Sequence, residues 1–344
     1  MKENREARTE ALPPHTQLIQ MSTGYWVSRI VYAAAKLDLA DRLAEGPKSA
    51  AELAGATRTD EPSLHRLMRT LASLGILTED TDHRFALTPL GEALKTGAPG
   101  YARSSILALA GDLRWRSWGE FLHCLETGET GVKKAFGMTG WEYVAQHPQE
   151  MAHFQEALIG FHGHEPAAVA AAYDFSGFQT VVDIGGGTGN LLATILEHYP
   201  GPHGVLFDLP DVVREAPALI QTRGLSDRVT VEAGDFFTSV PAGGEAYLMS
   251  HVIHDWDDDQ CLTILGHCHR AMNPSGRLLI IEMVLPEGDV PDLGKVVDME
   301  MLVMSGGQER TEQEYGTLLG KAGFRLARIV PTESAVGVVE AIPV

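Results

Sequence analysis

The sequence predicts an α/β fold built on a mainly parallel sheet and preceded by a smaller helical part. From Thr180 onward short apolar strands alternate with helices, and a Gly-rich turn follows the first strand. Before about residue 100 the chain runs helix, helix, hairpin. A length of 344 residues allows two domains, or three small ones, at roughly 150 residues each. Apolar residues make up 44%, enough for sizeable cores and too many for a disordered chain.

The elements follow in order. Residues through Pro13-Pro14 read as a frayed polar lead. From about Thr16 to Leu43, Leu18, Ile19, Trp26, Ile30, Val31, Ala34, Leu37 and Leu39 recur at helical spacing, and Gly46-Pro47 stops the run. Ser49-Ala50-Ala51-Glu52 has the signature of a capping box. Thr59-Asp60-Glu61-Pro62 opens a helix with Leu64, Leu67, Met68, Leu71 and Leu74 on one face. A polar turn at Glu79–His83 then joins Ile76-Leu77-Thr78 to Arg84–Pro89, which completes the pattern of a winged helix. Residues from about 92 to 172 read as helical and rich in aromatics, among them Trp115, Trp118, Trp141, Phe154 and Phe161. Candidate strands are Thr180–Ile184, Gly204–Phe207, Val229–Ala233, Ala246–Ser250, Arg277–Glu282, Phe324–Pro331 and Ala335–Ala341. The last two leave no room for a helix between them and are expected to form an antiparallel hairpin.

Charge narrows the partners. With 27 Lys and Arg against 46 Asp and Glu the net charge is −19, which disfavours nucleic acid. Lys48 through Arg84 carries five basic and six acidic residues, so the winged helix is a poor reader of phosphate. No apolar run approaches the roughly 18 residues of a membrane span. Met1-Lys2-Glu3-Asn4-Arg5-Glu6 carries charge where a signal peptide needs apolar residues. The three cysteines, Cys124, Cys261 and Cys268, are too scattered for a disulfide framework or zinc cluster. A cytoplasmic protein is expected.

Three strand ends suggest a ligand. Asp183-Ile184-Gly185-Gly186-Gly187-Thr188-Gly189-Asn190 links a strand to a helix and lets backbone approach a bound molecule closely. A tight turn alone, or a dinucleotide, would also use such glycines. Asp208, in Phe207-Asp208-Leu209-Pro210, can accept two ribose hydroxyls. Asp235, in Gly234-Asp235-Phe236-Phe237, can accept the amine of adenine, with Phe236 as a flat face beside it. Asn190 stands where a dinucleotide fingerprint wants its last Gly or Ala. The set therefore favours S-adenosyl-L-methionine (SAM) over NAD.

After the fourth strand comes Ser250-His251-Val252-Ile253-His254-Asp255-Trp256. Ser250 falls beside the methyl donor and His254 where an acceptor would meet it. A phenol of pKa ~10 needs help to lose its proton, and an imidazole of pKa ~6.5 can take it. Glu282, at a strand end, is expected to hydrogen-bond one imidazole nitrogen, and Glu309 to do the same from a Gly306-Gly307 turn. Glu309 could equally be a helix-start acid. The run Asp257-Asp258-Asp259 reads as a helix N-cap with acids on the dipole, not as a metal site.

Taken in order, the winged-helix start, Asp-x-Gly-Gly-Gly-Thr-Gly, Phe-Asp-Leu-Pro, Gly-Asp-Phe-Phe, His-Asp-Trp and Gly-Gly-x-Glu-Arg-Thr resemble the small-molecule O-methyltransferases. That family includes the plant caffeic acid enzymes and bacterial polyketide and phenazine methyltransferases. The resemblance runs from about Thr16 to the end. It implies a Rossmann-like SAM-binding domain at 173–344, with a mostly parallel seven-stranded sheet and an antiparallel C-terminal hairpin. It also implies a winged-helix domain at 1–100 that makes a homodimer, and a helical region at 101–172 that contributes to the acceptor pocket. SAM contacts are implied at Gly185, Gly187, Asp208, Leu209, Asp235, Phe236 and Ser250, with no metal. His254 is implied as general base, next to Asp255 and framed by Glu282 and Glu309, while Phe154, Leu158, Phe161 and Met301 line the acceptor pocket. Plant members carry Lys at the position of Ser250, and often a polar residue at that of Phe161, which points to an apolar aromatic acceptor here. Other readings are methylation of a nitrogen heterocycle, a SAM-assisted reaction without methyl transfer, or a ligand-sensing winged-helix regulator.

Overall fold

The computed structural model describes residues 12–344; Met1–Glu6 and most of the expected polar lead lie outside the described residues. The chain divides into two compact units. The first comprises Met1–Asp112 and Pro148–Phe161, the second Leu113–His147 and His162–Val344. The stretch 101–172, expected as one helical region, is thus shared between them.

In the first unit the expected run from Thr16 to Leu43 is three helices, Pro14–Thr23, Tyr25–Lys36 and Leu39–Leu43. Apolar spacing alone could not mark the interruptions. One falls at Gly24, and the other at Asp38, whose left-handed φ of 53° turns the chain. Ser49 and Glu52 cap Ala50–Thr57 reciprocally, and Asp60 accepts the Ser63 N–H to start Glu61–Ser73. The last of these buries Leu64, Met68 and Leu71 against Phe85 of the hairpin, while Leu74 is exposed. The hairpin pairs Leu77–Glu79 with Phe85–Leu87. Leu18, Ile19, Met21, Trp26 and Val27 stay exposed, an apolar stripe of the kind that marks an interaction surface.

The second unit holds the large sheet. Its strands are β1 (Thr180–Ile184), β2 (His203–Asp208), β3 (Val229–Ala233), β4 (Ala246–Ser250), β5 (Arg277–Glu282), β6 (Phe324–Pro331) and β7 (Gly337–Pro343). In space they run β6, β7, β5, β4, β1, β2, β3. β1 to β5 are parallel, and β7 is antiparallel to both β5 and β6. The last strand lies two residues later than expected. Central strands are buried on both faces: Val182 and Ile184 join one core, and Val181 joins the other. Trp115, Trp118 and Trp141 of the second unit, and Phe161 of the first, are exposed and form no part of these cores. Among the described residues no helix is long and apolar enough to cross a membrane.

Candidate active site

The parallel strands end together, and their carboxyl ends carry most of the singled-out side chains. After β1 the backbone turns through positive φ at Gly185, Gly187 and Gly189 before the helix Asn190–His198 begins. A Cβ on Gly185 would stand 2.8 Å from Val252 Cγ2 and 3.6 Å from Phe236 Cε1. The glycine loop, the Asp235-Phe236 turn and the segment after β4 therefore converge.

Asp208 ends β2. Its Oδ2 accepts the Gly187 N–H at 2.9 Å and its Oδ1 the Leu209 N–H at 2.7 Å. Each oxygen keeps a lone pair, as two vicinal ribose hydroxyls require. Burial raises this carboxyl against the lowering effect of those two N–H groups. Asp235 is exposed, and its Oδ1 accepts the Phe237 N–H at 2.8 Å. Phe236 stands edge-on to Trp256 at 6.0 Å between ring centroids. Ser250 ends β4 in register with Ile281 of β5.

His254 lies in the single 3-10 turn Ile253–Asp255 that follows. Its Nδ1 is 2.7 Å from Glu309 Oε1, and its Nε2 is 3.9 Å from Asp255 Oδ1. Burial alone would push the imidazole down. The Glu309 hydrogen bond and the charges of Glu282, Asp255 and Glu309 outweigh burial and raise it to about 9. Burial lifts Asp255 to about 6 against the pull of His254, with Glu282 and Glu309 adding to the rise.

Glu282 does not meet the imidazole as expected. Its Oε1 accepts the backbone N–H groups of Val252, Ile253 and His254 at 3.1, 2.7 and 3.1 Å, and its Oε2 accepts the Tyr315 hydroxyl at 2.5 Å. The cause is register. Ser250 sits opposite Ile281, so Glu282 falls beneath the amides of the turn rather than beside the ring. This carboxylate holds the turn, and the ring is left to Glu309.

Glu309 is not a helix-start acid, because the following helix is capped by Thr311 and Glu314. Its backbone N–H donates to Asp298 Oδ1 at 2.9 Å. Gly307 has to be glycine for a steric reason: a Cβ there would stand 1.9 Å from the His254 carbonyl oxygen. The acidic run is the expected cap, with Asp257 accepting the Gln260 N–H at 2.9 Å. Asp258 pairs with the buried Arg310 at 2.9 Å.

Residues 118–325 match the O-methyltransferase domain family, and residues 19–97 match the O-methyltransferase dimerisation domain. The chain belongs to the O-methyltransferase family. It is 44% identical to a phenazine O-methyltransferase of Lysobacter antibioticus, across all of both chains. A solved mitomycin 7-O-methyltransferase is 37% identical, with a TM-score of 0.90 over 96% of this chain and 98% of that one. The O-methyltransferase of neocarzinostatin biosynthesis, solved with SAM and 2-hydroxy-5-methyl naphthoic acid, is 32% identical. Its TM-score is 0.82, with 92% of this chain and 96% of that one covered.

This O-methyltransferase is therefore a SAM-dependent enzyme with a dimerisation domain, and the Asp208 and Gly185 geometry fits that donor. Among the expected acceptor residues, Phe154, Leu158 and Phe161 belong to the first unit and Met301 to the second. Phe161 lines a hollow of the first unit with Ser28, Val31 and Ile106. Sequence reasoning missed Tyr315 and Arg310. Tyr315 carries only its helical spacing as a signal. Arg310 carries none beyond its place after Glu309, yet its guanidinium reaches the Ile253 carbonyl at 3.3 Å and closes the turn from below. Asp183, at the head of the glycine motif, bears on the same site. That side chain is fully buried, and burial together with the Asp208 charge pushes its carboxyl up to about 7.

Proposed function

We propose that this O-methyltransferase transfers the methyl group of SAM to a hydroxyl of an aromatic small molecule, a phenazine, polyketide or phenolic, with His254 as general base. The observation that carries the reading is the 2.7 Å bond between His254 Nδ1 and Glu309, within reach of two further carboxylates. An imidazole at about 9 lies within roughly one unit, or about 1.4 kcal/mol, of a phenol at ~10. The same ring at its ordinary ~6.5 would face a gap of about 3.5 units. The three acids thus make His254 a base nearly matched to its acceptor.

Bound SAM supplies a methyl carbon made electrophilic by the sulfonium charge and departs as neutral S-adenosyl-L-homocysteine. His254 Nε2 takes the hydroxyl proton as the acceptor oxygen forms its bond to that carbon. Glu309 fixes the tautomer by holding Nδ1, and Glu282 fixes the turn. The glycine loop, Asp208, Leu209, Asp235, Phe236 and Ser250 hold the donor. Phe154, Leu158, Phe161 and Met301 supply apolar surface for a flat acceptor. Holding both reactants at near-attack geometry removes much of the entropic barrier.

The first unit is assigned to homodimerisation, a role that suits its exposed Leu18, Ile19, Met21 and Trp26. Three free, buried thiols at Cys124, Cys261 and Cys268 suit a cytoplasmic location. Purified protein with SAM and a panel of phenols and phenazinols yields methyl ethers by mass spectrometry. Absence of turnover with every acceptor class would overturn the reading. Methylation confined to ring nitrogens would replace it with the nitrogen alternative.

Asp235→Ala separates donor binding from chemistry. Its exposed carboxylate acts on adenine in this reading, so calorimetric SAM affinity falls roughly tenfold, the worth of one charge-assisted hydrogen bond of about 1.5 kcal/mol. Turnover at saturating SAM stays close to wild type. A large loss of kcat with unchanged SAM affinity contradicts the assignment.

A further inference from the structure

Each methyl transfer would leave a proton on His254, and that proton must reach solvent before the next turnover. The way out is narrow. The His254 side chain is 12% exposed, and the Glu309 side chain that holds its Nδ1 is 1% exposed. Glu282 is saturated by four donors, and Asp255 lies beside the ring in the same enclosed space.

One neighbouring cluster has no part in the chemistry so far described. His251 follows β4 with a left-handed φ of 54°, a conformation that a residue with a side chain holds only under constraint. Its Nε2 is 2.8 Å from Glu165 Oε2, and His162 Nδ1 is 2.9 Å from the same oxygen. The His251 ring lies 5.3 Å from that of His254 and 4.0 Å from that of His162, measured between centroids. Side-chain exposure is 12% at His254, 17% at His251 and 9% at Glu165, and it reaches 29% at His162. Hydrogen bonds join His251, Glu165 and His162, and ring proximity brings His254 to their inner end.

We infer that His251, Glu165 and His162 form the proton exit path of the enzyme. The inference rests on the reading of His254 as the base. The protonated His254 loses its Nε2–H proton to the unprotonated nitrogen of His251. His251 in turn releases the proton on its Nε2 to Glu165. Glu165 passes it to His162 when Nδ1 of that ring is unprotonated, and the exposed edge of the ring gives up its other N–H proton to buffer. One N–H bond breaks at His254, one proton appears in solvent, and no electrons change hands. Burial keeps the His251 imidazole below its ordinary value while His254 is raised to about 9, so the transfer from His254 runs uphill and His251 carries the proton only in passing. Glu165 would be raised by burial, but its bonds to both imidazoles and their charges hold it near 2, so it rests ionised and, once protonated, gives the proton up at once.

The test compares the first turnover with later ones, using an acceptor from the panel. In Glu165→Gln and His251→Phe, methyl transfer in a single turnover stays within about twofold of wild type. Steady-state kcat falls tenfold or more, and added imidazole buffer restores it in proportion to its concentration. His162→Gln, at the exposed end, gives a smaller defect of the same kind and guards against a folding failure at the buried positions. Equal losses in single and multiple turnover, or kcat that is unchanged or indifferent to buffer, overturn the path. His254→Ala run alongside loses the first turnover itself; if it does not, the base assignment fails rather than the path.

Discussion

Replacing His254 with alanine lowers kcat by roughly a hundredfold or more and leaves SAM affinity unchanged, the usual size of a lost general base. The pH dependence of this loss has a definite shape. The imidazole accepts a proton only when neutral, so the wild-type rate climbs with pH until about 9 and then levels. The variant depends on acceptor that has ionised unaided, a fraction that climbs until the phenol pKa of ~10. Below about 9 both rates rise roughly tenfold per pH unit and their ratio is flat. Between about 9 and ~10 only the variant still rises, and the gap narrows. Profiles of kcat against pH for both proteins check this directly. A ratio that stays constant through that interval means His254 positions the acceptor and is not the base.

Glu282→Ala is the substitution with the largest effect on stability. It strips the acceptor from three backbone N–H groups and from the buried Tyr315 hydroxyl, and it empties a fully buried site. Unsatisfied buried donors cost roughly 1–3 kcal/mol each, so the total is about 4 kcal/mol or more. At roughly 2–4 °C per kcal/mol, Tm falls by about 10 °C, and kcat falls with it because the turn beneath His254 loosens. Glu282→Gln lies between, since its amide keeps one acceptor oxygen but turns an N–H₂ toward groups that are themselves donors. Melting curves and kcat for both variants decide the matter. An alanine variant that melts like wild type sinks the idea that this carboxylate holds the turn.

Comparison of Glu309 with Glu282 shows where a sequence stops speaking. Strand ends, the glycine loop and the place of His254 were legible, because alternation and turn residues report backbone direction. That Glu309 would meet the imidazole was one of two readings the residues left open, and the capping of the next helix by Thr311 and Glu314 decides between them. The work of Glu282 was not legible. It depends on which residue of β5 lies opposite Ser250, and a shift of one residue would send the side chain to the other face. Glu165 and His251 are 86 positions apart and share no pattern that joins them. The helix break at Asp38 escaped for a different reason: Asp tolerates the left-handed region better than most residues but is also common inside and at the start of helices, so it does not by itself mark a break.

The order of the strands in space also sets a timetable for biosynthesis. β1 to β5 can pair with one another as each leaves the ribosome, and with them come the glycine loop, Asp208 and Asp235. β6 finds no neighbour then, because β7 must be threaded between it and β5. Until residues 337–343 have been translated, Leu278–Glu282 presents a bare edge, and Gly337, the partner of Glu282, is missing. A nascent chain stalled short of that point would already have the strand ends proposed to hold the donor but not a settled seat for the histidine. Ribosome-bound intermediates of increasing length should therefore acquire donor binding before they acquire turnover.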